Sequence, residues 1–347
     1  MLLKNFTRGL VRLSASPRPS PVSALRLLSS NPPDVNTARV EEVREAAHAR
    51  LQGRKKFYKE TGVKVLERIE PDAVDSPISS GVDGGSGGTR VGKSSPPESA
   101  LPEKLYTVTL DGRAIKSPAK NPLAVPSLPL ALTIANEWDY QVDYIEPDSM
   151  PLMKIASTAI DQVNAEPEYV RENCLRYLRN DTVCYWATDS EDDRLLKKNQ
   201  EEKWKKLHEW IESEEGLGHK PAFTTGLTFF GGLPHPPELV EEAEARLERM
   251  DVWELTMMQS VTMEAKSFFI GLAVVEGALT AEEAIDASRV EEEFQIEQWG
   301  LVEGGHDMDQ LNNGIQIRAS VVFKDMLEAG VEGGEGGDDD DAGGGGG

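Results

Sequence analysis

The chain has 347 residues, and its 60 acidic against 37 basic residues give a formal net charge of -23. This charge excludes nucleic acid or an anionic membrane as the natural partner, because each phosphate would be approached against the field of the whole protein. The two cysteines, Cys174 and Cys184, are too few for a disulfide framework or a metal cluster, and no segment has the ~18 uninterrupted apolar residues of a membrane span. No cofactor is predicted. The length allows about two domains with hydrophobic cores.

Residues 1–30 differ from the rest of the chain because they carry five basic residues and no acidic residue. At helical spacing Leu3, Phe6 and Leu10 share one face, with Lys4 on the other, and serine is frequent. A secretory signal would need an unbroken apolar run of at least about seven residues, which is absent. We therefore predict a mitochondrial transit peptide over these residues, and a disordered basic tail is the alternative interpretation.

An N-terminal α+β domain is predicted over residues 54–163, after a linker with a short charged helix at 31–53. Aromatic and β-branched residues predict strands over 57–66 and 104–110. The residues between these strands, 67–103, are rich in Gly, Ser, Pro and Asp and have almost no periodic apolar pattern. We interpret them as a disordered insertion in a loop.

Two features of this predicted domain are interpreted as structural anchors. Asp111 and Gly112 follow the second strand, and an Asp-Gly pair predicts a tight type I′ hairpin because both residues tolerate a positive φ. A helix is then predicted to begin after Ser127, which is interpreted as its N-cap. Trp138 lies on its apolar face and is interpreted as a core anchor.

The segment from Gly87 to Ser94 matches the phosphate-binding pattern G-x-x-x-x-G-K-[ST] letter for letter. That pattern works only where a buried strand delivers the loop and a helix begins at its end, so that backbone N–H groups converge on the phosphates. Gly and Ser residues precede the segment, and Pro96 and Pro97 follow it closely, so neither element is expected. A chance match is the favoured interpretation.

From residue 164 to 329 the chain is a series of helical patterns joined by short breaks, which predicts a C-terminal all-helical domain. Long apolar patterns predict single helices over 253–275 and 281–298. The first is apolar nearly all round, so we expect it at the centre of this domain. Residues 330–347 are acidic and Gly-rich and are predicted to be a disordered tail.

The end of the second long helix carries an unusual mixture of side chains. Val290 and Phe294 belong to an apolar stripe that must pack inward, and Glu291, Gln295 and Gln298 run beside it at spacings of four and three. This arrangement is typical of a polar rim around an anchor, and we interpret it as a binding surface. The alternative is that Glu291 is an internal partner for an arginine such as Arg171 or Arg318.

No catalytic constellation is found. His208, His219, His235 and His306 lack the spacing of a zinc site, and Ser267 lacks the G-x-S-x-G context of a nucleophile. Charge runs along the helices are typical of solvated faces. The residues alone therefore predict an acidic binding protein of other macromolecules and not an enzyme.

Several short blocks occur in an order that resembles the mitochondrial ATP synthase F1 assembly chaperone family, whose members bind the free F1 α subunit. No single block is diagnostic, whereas the ordered series is specific and extends over nearly everything from Phe57 to Leu327. The blocks are Leu110-Asp111-Gly112-Arg113, Lys116-Ser117-Pro118, Val125-Pro126-Ser127, Glu137-Trp138-Asp139 with Gln141, Met150-Pro151-Leu152, Ala159-Ile160-Asp161, Asp181-Thr182-Val183-Cys184-Tyr185, Gln200 with Trp204, Glu291 with Gln295, Trp299-Gly300 and His306-Asp307.

The resemblance implies a small N-terminal antiparallel-sheet α+β domain, a C-terminal helical domain and a non-enzymatic role in the mitochondrial matrix. That role is to shield the F1 α subunit until the β subunit replaces the chaperone, and we expect the chaperone to be a monomer. A nucleotide-dependent enzyme using the Gly87 to Ser94 segment is the alternative. The candidate client contacts are Glu291, Gln295, Gln298, Glu303 and Asp307. The candidate structural anchors are Asp111, Gly112, Trp138 and Trp299.

Overall fold

A computed structural model of the chain describes residues 46, 49–66, 104–191, 193–225, 232–300 and 306–332. Within these residues a few short antiparallel strands combine with many helices, which confirms the predicted α+β class. None of the described helices is both long enough and apolar enough to cross a membrane. The predicted transit peptide, the 67–103 insertion with its Gly87 to Ser94 segment, and residues 333–347 of the predicted tail lie outside the described residues.

The strands form two small sheets. In one, β2, β3 and β4 are adjacent in that order and antiparallel, and in the other β1 pairs with β5. The strands are β1 Arg54–Lys55, β2 Thr61–Leu66, β3 Leu105–Leu110, β4 Arg113–Ala114 and β5 Tyr144–Ile145.

The predicted Asp-Gly hairpin between β3 and β4 is confirmed. Asp111 has a φ of 47° and Gly112 a φ of 77°, the left-handed region that this turn requires. The Asp111 carboxylate also accepts the backbone N–H groups of Lys59 (2.9 Å) and Glu60 (3.0 Å), and these hydrogen bonds lower its pKa. The turn therefore holds the chain that leads into β2.

The strand predicted over residues 57–66 corresponds to β2 and is shorter in the structure. It begins at Thr61, because Tyr58 packs into the core and donates its hydroxyl to the carbonyl of Trp138 at 2.5 Å. Trp138 itself is 4 % exposed.

Within the described residues ten α-helices lie between positions 128 and 332, and β5 lies between the first two of them. They are α1 Leu128–Asp139, α2 Pro151–Thr158, α3 Pro167–Leu178, α4 Arg194–Glu212, α5 Pro237–Arg249, α6 Val252–Ala265, α7 Phe268–Val275, α8 Ala281–Ser288, α9 Val290–Trp299 and α10 His306–Glu332. Side-chain caps fix several of their starts: the Ser127 hydroxyl accepts the Leu130 N–H, and Asp251 and Thr280 each form a capping box.

The prediction of two long single helices in the C-terminal half is wrong, because each of the two segments forms two helices. The first is broken between α6 and α7, where Lys266 adopts a left-handed φ of 54° and the Ser267 hydroxyl caps the next helix by accepting the Ile270 N–H. The second is broken at Arg289, between α8 and α9. Apolar periodicity continues across both breaks, so it did not reveal them.

The helices α6 and α7 lie at the centre of the helical part, as predicted for their segment. Every residue of α7 is buried, and α6 contributes Trp253 and the buried Met257 and Met258. The buried apolar residues of the sheet, of α1 and of the helical part form one continuous cluster. The last helix closes it, since the Ser127 hydroxyl at the start of α1 donates to the carbonyl of Met326 in α10 at 2.5 Å.

Candidate functional site

The short helix α9 is amphipathic in an unusual way. Its Val290 and Phe294 are buried, whereas four residues spaced by four, three and one lie exposed together on another side. We call this surface the α9 face; it consists of Glu291, Gln295, Gln298 and Trp299.

The interpretation of Trp299 as a packing anchor is wrong, because its side chain is 77 % exposed. It lies nine positions after the buried Val290, and at about 100° per residue this places the two on opposite sides of the helix. Gly300, with a φ of 83°, ends the helix immediately after the tryptophan. The indole is therefore an exposed aromatic group at the end of a helix.

The arginine pairing considered for Glu291 is also wrong, although the residue does have an internal partner. Arg171 pairs with Glu168 at 2.7 Å and Arg318 with Glu282 at 3.1 Å. The Glu291 Oε1 atom instead accepts a hydrogen bond from the Gln200 side chain of α4 at 3.1 Å. Partial burial of the carboxyl end raises the pKa of Glu291, and the hydrogen bond from Gln200 opposes this.

Gln200 is 1 % exposed and its amide is held on both sides. Its Oε1 atom accepts the Ala187 N–H at 2.8 Å, and its Nε2 atom donates to the Tyr185 carbonyl at 3.2 Å as well as to Glu291. Backbone groups of Tyr185 and Ala187 thus fix the orientation of the Gln200 amide. The amide in turn fixes the position of one Glu291 carboxylate oxygen. This defines where the negative charge of the α9 face lies.

The position of α9 depends on the contact between α4 and α8. The indole N–H of the buried Trp204 in α4 donates to the Ala287 carbonyl at 2.8 Å, one helical turn before α9 begins. At the same contact Lys203 pairs with Asp286 at 2.6 Å and Lys206 with Glu283 at 2.7 Å. Gln200 and Trp204 therefore act as positioning residues for the α9 face.

Arg289 lies at the junction of α8 and α9 and is 3 % exposed. Its guanidinium makes no hydrogen bond with the described residues, and its ion pairs are to Glu292 at 3.4 Å and Glu293 at 3.9 Å. Both carboxylates belong to the first turn of α9. The buried Arg289 guanidinium therefore attracts this turn and helps to fix its position.

The structure places the other candidate contacts as follows. It brings Glu291, Gln295 and Gln298 together on one helix, while Glu303 lies outside the described residues. The backbone of Asp307 lies in the first turn of α10.

Three carboxylates that sequence reasoning assigned no role accept structural hydrogen bonds. Glu137 accepts the N–H groups of Leu152 (2.7 Å) and Met153 (2.8 Å) at the start of α2. The other two are Asp161, which accepts hydrogen bonds from Ser117, Ala119 and Asn121, and Asp181, which accepts the N–H groups of Val183 and Phe269. Each of the three lies in one of the blocks that carry the family resemblance, but no local pattern indicated its hydrogen-bond partners.

We predict that the stability of the protein depends on pH through Glu137. Burial raises the pKa of this carboxyl to about 7, despite the two hydrogen bonds that lower it. The folded protein therefore keeps a proton that the unfolded chain loses near its ordinary pKa of 4.5. The stability that this proton contributes is complete below the unfolded pKa and is lost as pH rises through the folded value.

Guanidinium unfolding at about pH 5 and about pH 8 measures this effect. The free energy of unfolding of the wild type should fall by up to about 3 kcal/mol more than that of Glu137→Gln over this interval. Equal pH dependence of the two proteins would contradict the assignment.

Chemical catalysis finds no support in the described part of the chain. No group of three or more His, Cys, Asp and Glu residues there could hold a metal ion. Burial raises the pKa of Cys174 to about 12 and also raises that of Cys184, so neither thiol is a ready nucleophile.

Comparison with known proteins agrees with the resemblance. The family model described as ATP12 chaperone protein matches residues 92–212. The mitochondrial protein atp12 of Schizosaccharomyces pombe is 26 % identical over 227 residues, covering 64 % of this chain and 77 % of that protein. The mitochondrial ATP12 of Saccharomyces cerevisiae is 25 % identical over 252 residues, covering 62 % of this chain and 78 % of that protein.

Solved structures are similar as well. The crystal structure of Atp12 from Paracoccus denitrificans matches with a TM-score of 0.60 at 26 % identity, covering 79 % of this chain and 98 % of that one. A putative chaperone from Agrobacterium tumefaciens matches with a TM-score of 0.62 at 25 % identity, covering 88 % of this chain and 96 % of that one.

Proposed function

We propose that this chain, which belongs to the ATP12 chaperone family, binds the unassembled F1 α subunit of mitochondrial ATP synthase, shields its subunit interface and releases it when the β subunit assembles. The chain is a mitochondrial F1 assembly chaperone and not an enzyme. Its residues 1–30 are proposed to direct it to the matrix, and we propose that it acts there as a monomer.

The observation that carries this proposal is the α9 face. An exposed tryptophan on the same helix face as a carboxylate and two amides is the composition of an interface anchor with a polar rim. The helix that carries it is fixed from beneath by Gln200, Trp204 and Arg289. A preorganised surface loses little conformational entropy on binding, so few contacts can give useful affinity.

The chemistry of the face also fits a client that has to be released. An unpartnered F1 subunit would expose apolar interface patches that aggregate, and a chaperone must cover them without binding irreversibly. A single aromatic anchor with polar neighbours gives moderate affinity, which a more extensive interface with the β subunit can displace. The net charge of -23 would speed encounter with a basic client surface.

The proposal is tested by light scattering from isolated α subunit diluted out of denaturant. The mature chain should suppress aggregation at stoichiometric ratio, form a complex with α that survives gel filtration, and give up α when the β subunit is added. Suppression that is equal for α and an unrelated aggregating protein, with no isolable complex, would overturn the proposal.

The charge of Glu291 is predicted to contribute directly to binding. In Glu291→Gln the amide oxygen can still accept the hydrogen bond from Gln200, so the fold should be retained while the charge is removed. We expect affinity for α to fall by about tenfold, measured by titration of labelled protein.

The matched control is Glu297→Gln, which makes the same charge change on the same helix but at a position outside the α9 face. It should bind α as the wild type does. If both variants lost the same affinity, the effect would come from net charge. If Glu291→Gln unfolded early, Glu291 would be a structural residue.

A further inference from the structure

A second surface of interest is a cleft of about 1130 Å³ on the N-terminal part of the molecule. It lies between the β3–β4 hairpin, the end of α1 and the start of α2, and the face of α9 takes no part in it. This volume is at the upper limit of small-molecule pockets, which span roughly 300–1,000 Å³. The cleft can therefore hold several residues of an extended peptide.

The charge of the cleft is opposite to that of the whole chain. Arg50, Arg54, Arg113 and Lys116 line it, and none of them forms an ion pair with the described residues. Lys154 lines the cleft as well, and so do two acidic residues, Asp148 and Asp111. The Asp111 carboxylate is already engaged by two backbone N–H groups. In a protein with a net charge of -23, exposed cations without an acidic partner among the described residues form, in one concave region, a local site for carboxylates.

The cleft also offers apolar surface. Phe57 is 51 % exposed in its wall, and the Arg54 guanidinium lies 4.7 Å from the centre of its ring. Ile115 and Met153 are partly exposed beside it, and Trp138 lies buried beneath. A ligand that is only an anion would leave these apolar groups in water, so the best-matched ligand carries both carboxylates and an apolar side chain.

We propose that this cleft binds an extended acidic segment of a partner protein, with carboxylates against Arg50, Arg113 and Lys116 and an aromatic or aliphatic side chain against Phe57. The acidic tail of the chain itself matches only half of this chemistry. Its residues 333–347 are glycine, glutamate and aspartate with one alanine, and they contain no group to cover the apolar wall. The site is separate from the α9 face, so it does not depend on the identity of the client held there.

Fluorescence anisotropy of a labelled peptide of alternating glutamate and leucine tests the proposal with the full chain. The double variant Arg113→Glu, Lys116→Glu should bind this peptide at least about tenfold more weakly than the wild type. Phe57→Ala should weaken it by several-fold, and a peptide of alternating glutamate and serine should bind more weakly than the leucine peptide. Raising the salt concentration should weaken all of this binding, because the charges are exposed.

The matched control is Arg194→Glu, Lys198→Glu, which makes the same charge change at exposed positions of α4 away from the cleft. It should keep wild-type affinity. An equal loss of affinity in both double variants would show that binding depends only on net charge, and this would overturn the proposal. Absence of measurable peptide binding by the wild type would also overturn it. A truncation after Glu332 should leave affinity unchanged, and a several-fold gain would show that the tail, not a partner, occupies the cleft.

Discussion

Replacement of Trp299 by alanine should weaken the proposed complex with the F1 α subunit by about 30-fold, or about 2 kcal/mol, while leaving the fold intact. The indole is 77 % exposed at the end of α9, so the folded protein gains little from it. Surface substitutions of this kind change the free energy of unfolding by about 0.5 kcal/mol or less. An aromatic side chain that contributes little to folding but sits in a polar rim is expected to contribute to binding instead.

Affinity for α and thermal unfolding should be measured on the same preparations. Tyr140→Ala is the control, since Tyr140 is 81 % exposed at the end of α1 and lies outside both the α9 face and the cleft. It should change neither quantity. Unaltered affinity of Trp299→Ala would remove the tryptophan from the interface, and a large fall in its melting temperature would mean that the residue packs in the folded protein after all.

Replacement of Asp181 by alanine should cost about 3 kcal/mol or more of folding stability. The residue is fully buried, and its two carboxylate oxygens accept the N–H of Val183 at 3.2 Å and that of Phe269 at 3.0 Å. It therefore joins the short helix Thr182–Cys184 to the start of α7, the most completely buried helix described. Alanine would leave both N–H groups buried without an acceptor, at about 1–3 kcal/mol each.

The Asp181→Asn variant separates the loss of hydrogen bonds from the loss of volume. Its amide keeps the shape but turns a donor toward one of the two N–H groups, so an intermediate loss is expected in chemical denaturation. Asp143→Ala, at an exposed position before β5, should unfold like the wild type. Wild-type stability of Asp181→Ala would show that water or a neighbouring acceptor satisfies these groups.

Local chemistry made part of this structure predictable. The hairpin follows from Asp111 and Gly112 alone, because few residues accept the backbone angles of a type I′ turn. The start of α1 follows from Ser127 in the same way. Where one apolar pattern runs through two helices, as it does across Ser267 and across Arg289, periodicity cannot show the break. The capping hydroxyl of Ser267 was the only local signal for the first break.

The candidate site was predictable in outline and not in detail. Helical spacing placed Glu291, Gln295 and Gln298 on one face, and counting residues from Val290 would also have placed Trp299 outside the core. The contact between Gln200 and Glu291 joins residues 91 positions apart, so no local pattern contains it. The cleft was even less predictable from the sequence, because its cations come from separate segments of an acidic chain and converge only in the folded protein.

The most direct test of the central claim is site-specific photo-crosslinking to the α subunit. A photoreactive phenylalanine analogue in place of Gln298 would lie on the α9 face, and the same analogue in place of the exposed Lys198 of α4 would lie away from it. We predict that irradiation links position 298 to α, that position 198 gives no such product, and that added β subunit abolishes the link. Capture of α at position 198 but not at 298 would contradict the assignment of the α9 face as the client-binding surface.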